Sequence, residues 1–353
     1  MTGTVYAGVG HWQASGPKLR TCGFFRRRAG DGEWRALTRG LPPDPEVRAI
    51  ALHPDDPEIV LAGTQDGVWR SDDGGDSWES LGLPGELRTV WSIAFDPSDP
   101  DTVFVGVEGF AIWRTQDGGG SWRRLDVPAP GGIPECPFAT RVTRIAIDPN
   151  APDHVYAGLE VLGVVRSLDG GDTWDDVSGE LLALAGANEH LQSGLLTGDP
   201  HEGMVDIHAI SASRAEPGKI YLANRMGLFV TGDAGAHWSE LGIGRFSPVT
   251  YARDVYVSSH DPERVFAALS PASVSDAGAL WCSDDGAATW RRFDSELPIG
   301  STLMTVAESP LDPARIYCGA RGGQVFGTED AGASWRDIPL PDGVSGIYAM
   351  ACV

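Results

Sequence analysis

Lysine is almost missing from this 353-residue chain, which contains only Lys18 and Lys219, so nearly every positive charge is an arginine. Acidic residues outnumber basic ones and give a formal net charge of −22. Such a charge disfavours nucleic acids and anionic membrane surfaces as partners, because their phosphates would be repelled. No apolar run reaches the roughly 18 residues that a membrane-spanning helix needs.

Cysteine is also sparse, with five residues and no CxxC spacing. This arrangement predicts reduced, mostly packed thiols and no disulfide framework. The segment that follows Met1 has neither the basic nor the apolar region of a secretory signal, and we therefore expect a cytoplasmic protein. The sequence also has no phosphate-binding loop and no nucleophile elbow, since Gly118-Gly-Gly120 precedes no helical pattern.

What the chain has is tryptophan at regular intervals. A motif Ser/Thr-x-Asp-x-x-x-Ser/Thr/His-Trp, called the aspartate turn below, usually has glycine two residues after the aspartate. Its six copies end at Trp78, Trp122, Trp174, Trp238, Trp290 and Trp335. A seventh, degenerate copy ends at Trp34 and has Ala29 in place of the aspartate. The tryptophans are 44 to 64 residues apart, and self-similarity at this period is typical of repeat architectures.

Each repeat contains four short apolar runs bounded by proline, glycine and aspartate, as in segments 47–52, 59–62, 68–70 and 78–81. These are strand lengths. The chain opens on a strand of the second type, near residues 4–9, and finishes on one of the first type, near 347–352. Pairing these two strands would close a ring and remove its exposed edges. The sequence therefore predicts an all-β protein, a single seven-bladed β-propeller of four-stranded antiparallel blades over residues 1–353.

The aspartate turn resembles the Asp-box, or BNR, repeat, and the resemblance covers essentially the whole chain. Similar repeats occur in sialidases, xyloglucanase-type glycoside hydrolases, sortilin-like receptor domains and photosystem II assembly factors. In those families the box lies away from the ligand site. The resemblance therefore implies that Asp73 and its equivalents stabilise turns, and that function depends on other residues.

In propellers, ligands bind at the channel mouth, where first strands begin and second-to-third-strand loops gather. There the sequence places arginines and aromatics, together with the carboxylates Glu108 and Glu160 and, from one loop, His11 and Trp12. The predicted ligand-binding residues are Arg48, Trp91, Arg144, Arg225, Arg253, Arg321, His190 and His201. Such a ring of mixed charge suits a small anionic or carbohydrate-like ligand. In the alternative, these residues pair with one another and plug the channel.

The longest interval between tryptophans contains an insertion at residues 178–204, whose length predicts a lid-like binding segment with one helical turn at 180–187. Just beyond it, Asp206 and His208 share one face of a strand and are candidates for acid–base catalysis. With His201 they could bind a divalent metal, the one cofactor considered, although no established metal spacing is present. The rival hypothesis treats His208 as a hydrogen-bonded core histidine, in the position that apolar residues such as Ile50 occupy in other blades.

Three functions remain open. The first is an enzyme, glycoside hydrolase-like or a lyase, with Glu108 and Glu160 as a further catalytic carboxylate pair. The second is a non-catalytic scaffold that presents an arginine-rich face to a protein partner, as the resemblance to photosystem assembly factors implies. The third is a small-molecule metalloenzyme built on the histidines of the insertion.

Overall fold

The computed structural model describes residues 3–11, 22–86, 89–131, 139–295 and 297–353. Within them, 28 strands form seven four-stranded antiparallel sheets. The innermost strand of each sheet contacts the innermost strands of its two neighbours, and these contacts close a ring. The predicted seven-bladed propeller is therefore confirmed.

The strands run from the channel outwards in every blade. Strands β1 (Thr4–Val9), β2 (Gly23–Arg28) and β3 (Arg35–Ala36) belong to blade 7, described below. Blade 1 contains β4 (Ala49–Leu52), β5 (Val60–Thr64), β6 (Gly67–Ser71) and β7 (Glu79–Ser80). Blade 2 contains β8 (Val90–Phe95), β9 (Val103–Val107), β10 (Ile112–Thr115) and β11 (Arg123–Arg124). Blade 3 contains β12 (Val142–Asp148), β13 (Ala151–Leu159), β14 (Gly163–Ser167) and β15 (Asp175–Asp176).

The remaining blades repeat this order. Blade 4 contains β16 (Ile207–Ala212), β17 (Ile220–Asn224), β18 (Gly227–Thr231) and β19 (Ser239–Glu240). Blade 5 contains β20 (Tyr251–Val257), β21 (Val265–Ser270), β22 (Ala279–Ser283) and β23 (Arg291–Arg292). Blade 6 contains β24 (Leu303–Ser309), β25 (Asp312–Ala320), β26 (Val325–Thr328) and β27 (Arg336–Asp337). The last strand, β28 (Ile347–Cys352), is the innermost strand of blade 7.

Blade 7 joins the two ends of the chain. Strand β1 pairs with β28 so that Val5 faces Cys352 and Ala7 faces Met350. The backbones of Thr4 and Val353 exchange hydrogen bonds of 3.0 and 2.8 Å. This pairing is the predicted closure, and it satisfies backbone groups that an open sheet edge would expose.

The second strand of each blade is buried on both faces, because the neighbouring blades cover it. All five residues of β9 are buried, and the sequence there is a continuous apolar run, Val-Phe-Val-Gly-Val. Its Gly106 lies where the next blade approaches most closely, since a Cβ atom there would be 2.5 Å from the side chain of Val142. Tight packing between blades therefore explains the glycine that recurs in these strands.

The aspartate turns connect third strands to fourth strands, on the face opposite the channel mouth. In the first copy, Asp73 accepts hydrogen bonds from the backbone N–H of Ser77 at 2.8 Å and from its hydroxyl at 2.6 Å. Ser71 donates to the same carboxylate at 2.7 Å and accepts the N–H of Gly75, which has φ +93°. In the third copy, equivalent bonds from Thr173 lower the pKa of Asp169 to about 2. The carboxylates of these turns are occupied by their own backbone, as expected.

The turns also contact the preceding blade. Tyr6 donates to the carbonyl of Gly74 at 2.9 Å, and Tyr221 donates to that of Gly286 at 3.1 Å. Arg166 donates in the same way to Ala234 at 2.7 Å. These turns are thus both local structures and points of attachment between blades, a role that the sequence motif alone did not indicate.

The insertion between blades 3 and 4 is helical. It contains α1 (Gly179–Ala187), a 3₁₀ turn at Glu189–Leu191 and α2 (Glu202–Val205). Leu181, Ala185, Leu191 and Met204 are buried in one cluster with residues of blades 3 and 4. Another 3₁₀ turn, Ile243–Arg245, follows blade 4. None of the helices in the described ranges has the length and apolar character needed to cross a membrane.

Candidate functional site

A β-bulge at the start of the innermost strand gives the channel mouth its side chains. In blade 2, Val90 pairs with Val107 and Ser92 with Gly106, which leaves Trp91 without a cross-strand partner. Five other blades have the same register shift. In blade 1, Ala49 pairs with Gly63, and the backbone N–H of Arg48 donates to the carbonyl of the same glycine. The bulged residues, called the mouth ring below, are Arg48, Trp91, Thr143, His208, Arg253, Met304 and Tyr348. Bulges commonly re-aim a side chain next to a functional site.

The mouth ring lines a small cavity of about 70 Å³ that is partly open to solvent. It contains two arginines and one histidine but no carboxylate. Arg253 is half-buried and makes no hydrogen bond or ion pair with any other residue in the described part of the chain. The ring therefore offers a guanidinium group whose charge is not directly neutralised.

An ion pair lies one residue deeper in the channel. Arg144 of blade 3 reaches Asp254 of blade 5, with 3.1 Å between Nη2 and Oδ1. The second oxygen of Asp254 accepts the backbone N–H of Val306 at 3.1 Å. At this level two charges of the mouth pair with each other, as the plug alternative requires of the whole set, and the pair ties together two non-adjacent blades.

Aromatic and cationic side chains alternate on one side of the mouth. The indole of Trp91 lies between two guanidinium groups, those of Arg48 at 4.7 Å and Arg141 at 4.2 Å from the ring centroid. Tyr348 meets the same indole edge-on, with 5.6 Å between centroids. Cation–π contacts of this kind hold the side chains in fixed positions.

His208 has two different neighbours for its two ring nitrogens. Nδ1 lies 2.7 Å from the carbonyl oxygen of Ala252, so it carries a proton and donates it. Nε2 faces the hydroxyl of Tyr251 at 3.3 Å and the carboxylate of Asp206 at 3.5 Å. A neutral imidazole accepts from the tyrosine, whereas a protonated one donates to the aspartate. The predicted association of Asp206 with His208 is present in the structure.

The hypothesis that His208 occupies an apolar core position is wrong. The register pairs Ile210 with Leu222 in blade 4, in the way that Ile50 pairs with Ala62 in blade 1. Ile210 is therefore the core residue, and His208 is the bulged one. The error came from an alignment that was off by two residues, because the counterpart of His208 in blade 1 is Arg48.

Charge pairs surround the mouth ring. In blade 3, Arg141 precedes the first strand and binds Glu160, which follows the second, with contacts of 3.1 and 3.3 Å. In blade 4 the same two positions hold Asp206 and Arg225, at 2.7 and 3.0 Å, so the charges are exchanged. Arg225 also donates to the buried Glu202 of the insertion at 3.1 Å. The predicted residues Glu160, Asp206 and Arg225 thus contribute to two neighbouring sets of charge pairs, together called the network below, which are coupled by the charges of Asp206 and Arg225 near Glu160.

The two acids of this network titrate differently. Burial raises the pKa of Glu160 to about 7, and the nearby charge of Asp206 adds to this effect while Arg141 opposes it. Burial also opposes the ionisation of Asp206, but His208 and Arg225 outweigh it and hold that pKa below its usual range. One carboxyl group is therefore half-protonated near neutral pH beside another that stays ionised.

Other predicted residues lie apart from this network. His201 contacts Asp199 at 3.2 Å, and His190 contacts Glu240 at 3.0 Å. Neither pairs with Asp206 or His208, and among the described residues the set His201, Asp206 and His208 does not form a three-ligand cluster. Glu108 forms a backbone bridge with Arg141. Arg321 donates to the carbonyl of Ser273, and Trp12 lies outside the described residues.

Four contributors to the mouth were not predicted, namely Thr143, Met304, Tyr348 and Arg141. A signal for the first three exists in the sequence. In each first strand the ring residue directly follows an aliphatic one, as in Val47-Arg48 and Ile347-Tyr348. Aligning the seven strands on that residue would have identified the whole ring.

A larger groove, about 600 Å³ and open to solvent, lies on the opposite face. Its lining contains both Arg315 and Asp312, which pair at 3.3 Å, and it also contains both Arg28 and Glu58. Because its charges are balanced, it offers less specific chemistry than the mouth ring.

Comparison with known proteins supports the fold more strongly than any activity. No protein family model matches the chain. It is 25% identical over 227 residues to an oligoxyloglucan-reducing end-specific xyloglucanase of Emericella nidulans, a match that covers 60% of this chain and 25% of that protein. The chain therefore spans about a quarter of the length of this curated relative.

Solved structures give the same picture. The GH74 xyloglucanase from Xanthomonas campestris superposes with a TM-score of 0.62 at 21% identity, over 86% of this chain and 46% of that one. YCF48 from Cyanidioschyzon merolae superposes at 0.58 and 16% identity, over 90% of both chains. A complex of YCF48 bound to D1 peptide superposes at 0.56 and 15% identity, over 84% and 83%. At these identities the likeness establishes a shared propeller fold.

Proposed function

We propose that the protein binds a small anionic, sugar-like ligand in the mouth ring. The observation that carries the proposal is the charge balance of the ring, which has two arginines and a histidine but no carboxylate. Arg253 in particular has no ion-pair partner among the described residues. A half-buried guanidinium group of this kind is suited to bind a carboxylate or phosphate with two parallel hydrogen bonds.

The aromatic members of the ring support the sugar-like part of the ligand. Trp91 and Tyr348 present apolar surface, and Thr143 adds a hydroxyl group. Pockets of this composition combine apolar contact with a few oriented polar groups. The xyloglucanase likeness agrees with a carbohydrate but does not specify one.

The binding test is calorimetry on the full chain with glucuronate, inorganic phosphate and glucose. Glucuronate should bind, and glucose should bind at least about 10-fold more weakly because it lacks the charge. Arg253→Gln should reduce glucuronate affinity about 10- to 100-fold, since a hydrogen bond to a charged group contributes about 1.5–3 kcal/mol.

Arg336→Gln is the matched control, because this arginine is 75% exposed and lies far from the ring, on β27. It should leave the affinity unchanged. Equal binding by both variants, or no binding of either anion, would overturn the proposal.

A second candidate is acid–base catalysis, either hydrolysis or elimination at a glycosidic bond. It is favoured by the opposed pKa shifts of Glu160 and Asp206, since an acid and a base with separated pKa values are the usual requirement for such chemistry. Glu160 would donate the proton, and Asp206 would keep His208 oriented. Glu108 stays a proposed partner of Glu160.

Xyloglucan oligosaccharides and an aryl glycoside are suitable substrates for a test of catalysis. If the proposal is correct, Glu160→Gln lowers kcat by about 100-fold or more. The control Glu79→Gln, at an exposed position of β7, should retain full activity. Turnover that survives in the Glu160 variant would exclude this carboxyl group as the acid.

The scaffold alternative has less support. Two of the arginines expected to form an outward face are largely enclosed, since the side chains of Arg48 and Arg225 are 3% and 15% exposed, whereas Arg144 is 43% exposed and paired with Asp254. Such groups contribute little to a flat protein surface. A peptide with an acidic end could still reach Arg253. Competition between such a peptide and glucuronate for binding would reveal that mode.

A further inference from the structure

Three potential metal ligands converge beside the mouth ring. They are His11, which follows β1, Cys22, which precedes β2, and Glu46, which precedes the first strand of blade 1. Their donor atoms all lie within 4.8 Å of one another. We propose that His11, Cys22 and Glu46 form a zinc-binding site at the junction of blades 7 and 1.

The hydrogen-bond geometry is the first argument. The Nδ1 atom of His11 lies 2.9 Å from a carboxylate oxygen of Glu46 and 3.0 Å from the sulfur of Cys22. If Nδ1 carries a proton it can donate to the carboxylate, but it cannot then accept the thiol proton. If it is unprotonated, its lone pair faces the carboxylate. One nitrogen cannot satisfy both neighbours, whereas a cation between the three groups would accept a lone pair from each.

The same geometry argues against a nucleophilic cysteine. In a triad, the acid and the nucleophile contact opposite nitrogens of the imidazole. Here both contact Nδ1, and Nε2 is farther from the sulfur, at 3.6 Å. Burial together with the charges of Glu46 and Asp44 raises the pKa of the Cys22 thiol to about 11, whereas an activated cysteine has a lowered one.

Ligand type identifies the metal. Thiolate, imidazole and carboxylate are the three protein ligands of zinc, and three of them leave a fourth tetrahedral position for water or another group. A thiolate and a carboxylate together neutralise the charge of a divalent cation, which favours binding in a partly enclosed site. Binding would release the thiol proton to solvent, and Nε2 of His11 would keep the imidazole proton.

The distance between the sulfur of Cys22 and Nδ1 of His11 requires only a small adjustment. Zinc bonds of about 2.3 Å to sulfur and about 2.0 Å to nitrogen separate these two donors by about 3.5 Å in a tetrahedron. Cys22 would therefore move by about half an ångström. Glu46 is already oriented, because Arg48 holds its second oxygen and its backbone N–H donates to Gln65 at 2.8 Å. Such outer contacts are typical of metal sites.

The site is independent of the proposed ligand function, since none of its three residues belongs to the mouth ring. Its structural effect would be to fix the hairpin of β1 and β2 to blade 1. Arg48 connects the two regions, because it binds Glu46 and also stacks on Trp91.

The test is zinc binding by the 353-residue chain after treatment with a chelator. Calorimetry should show one zinc ion per chain, and Cys22→Ser should weaken binding by more than about 100-fold. The matched control is His190→Ala, because His190 and Glu240 form a similar exposed pair, at 3.0 Å, without a cysteine in contact. That variant should bind zinc like the unmodified protein.

Cobalt substitution distinguishes loss of a ligand from loss of folding. Co²⁺ bound to the unmodified protein should produce a thiolate-to-metal charge-transfer band in the near ultraviolet, and Cys22→Ser should abolish it. Zinc should also raise the melting temperature of the unmodified protein but not that of the variant. An absent charge-transfer band in the unmodified protein, or equal zinc affinity in the cysteine variant, would overturn the proposal.

Discussion

Replacement of Glu160 by glutamine is expected to change how stability depends on pH. The folded protein holds the proton of this carboxyl group with a pKa of about 7, against an ordinary value of 4.5 in the unfolded chain. Below pH 4.5 both states are protonated, so this group contributes no difference. Between pH 4.5 and 7 the unfolded chain releases the proton more readily, and the free energy of unfolding falls as pH rises.

The expected magnitude follows from the two pKa values. Each pKa unit corresponds to about 1.4 kcal/mol, so the full loss is about 3 kcal/mol and is complete above pH 7. The Glu160 side chain is 18% exposed, so solvent screening reduces this value only modestly. Glutamine does not titrate, and Glu160→Gln should therefore avoid the loss while keeping an acceptor for Arg141.

The assay is urea denaturation at pH 5 and pH 8. At pH 5 the side chain at position 160 is neutral in both folded proteins, but the unfolded chain is already partly ionised, so about 1 kcal/mol of the loss has occurred. At pH 8 the variant should be more stable by about 2.5 kcal/mol relative to the difference at pH 5. Glu79→Gln, at an exposed carboxylate, corrects for the general effect of removing one charge. A difference that stays constant between the two pH values would refute the argument from burial.

Three further predictions concern stability, each measured by urea denaturation. Ala287 has φ +75° at a position where the other aspartate turns have glycine. Ala287→Gly should therefore raise the free energy of unfolding by about 0.5–1 kcal/mol, because it relieves backbone strain. A loss of stability would show that the alanine is not strained. Tyr221→Phe removes a hydrogen bond to the next blade and should lower the free energy of unfolding by about 1 kcal/mol. An unchanged midpoint of the urea transition would show that the bond does not contribute to stability. Arg225→Leu leaves the buried acids Glu202 and Asp206 without the arginine that pairs with them, and it should lower the free energy of unfolding by about 3–5 kcal/mol. The loss should be smaller at low pH, and an equal loss at every pH would argue against charge as the cause.

The sequence was sufficient to predict the number of blades, the closure by β1 and β28, and the structural use of the aspartates. These features depend on a repeated local pattern and on strand counting, which need no tertiary information. The structure also places four of the candidate site residues, Arg48, Trp91, His208 and Arg253, in the mouth ring, while their roles stay predictions.

What the sequence could not give depends on register and on distant contacts. The insertion before blade 4 obscured where its first strand begins, so His208 was aligned with Ile50, two positions away from its true counterpart Arg48. The pairing of Arg141 with Glu160 joins residues 19 positions apart whose contact depends on how β12 and β13 associate. Likewise, the approach of Glu46 to His11 spans two blades, and no local motif encodes it.

The attachment of aspartate turns to the preceding blade has a consequence for binding. Loss of structure in one blade removes donors such as Tyr6 or Tyr221 from the turn of its neighbour, so damage at the rim would spread around the circumference. The mouth ring takes one side chain from every blade and is therefore complete only while all seven are folded. On heating, we expect ligand binding to be lost in the same single transition as the folded structure. Affinity should not decline gradually at temperatures below that transition.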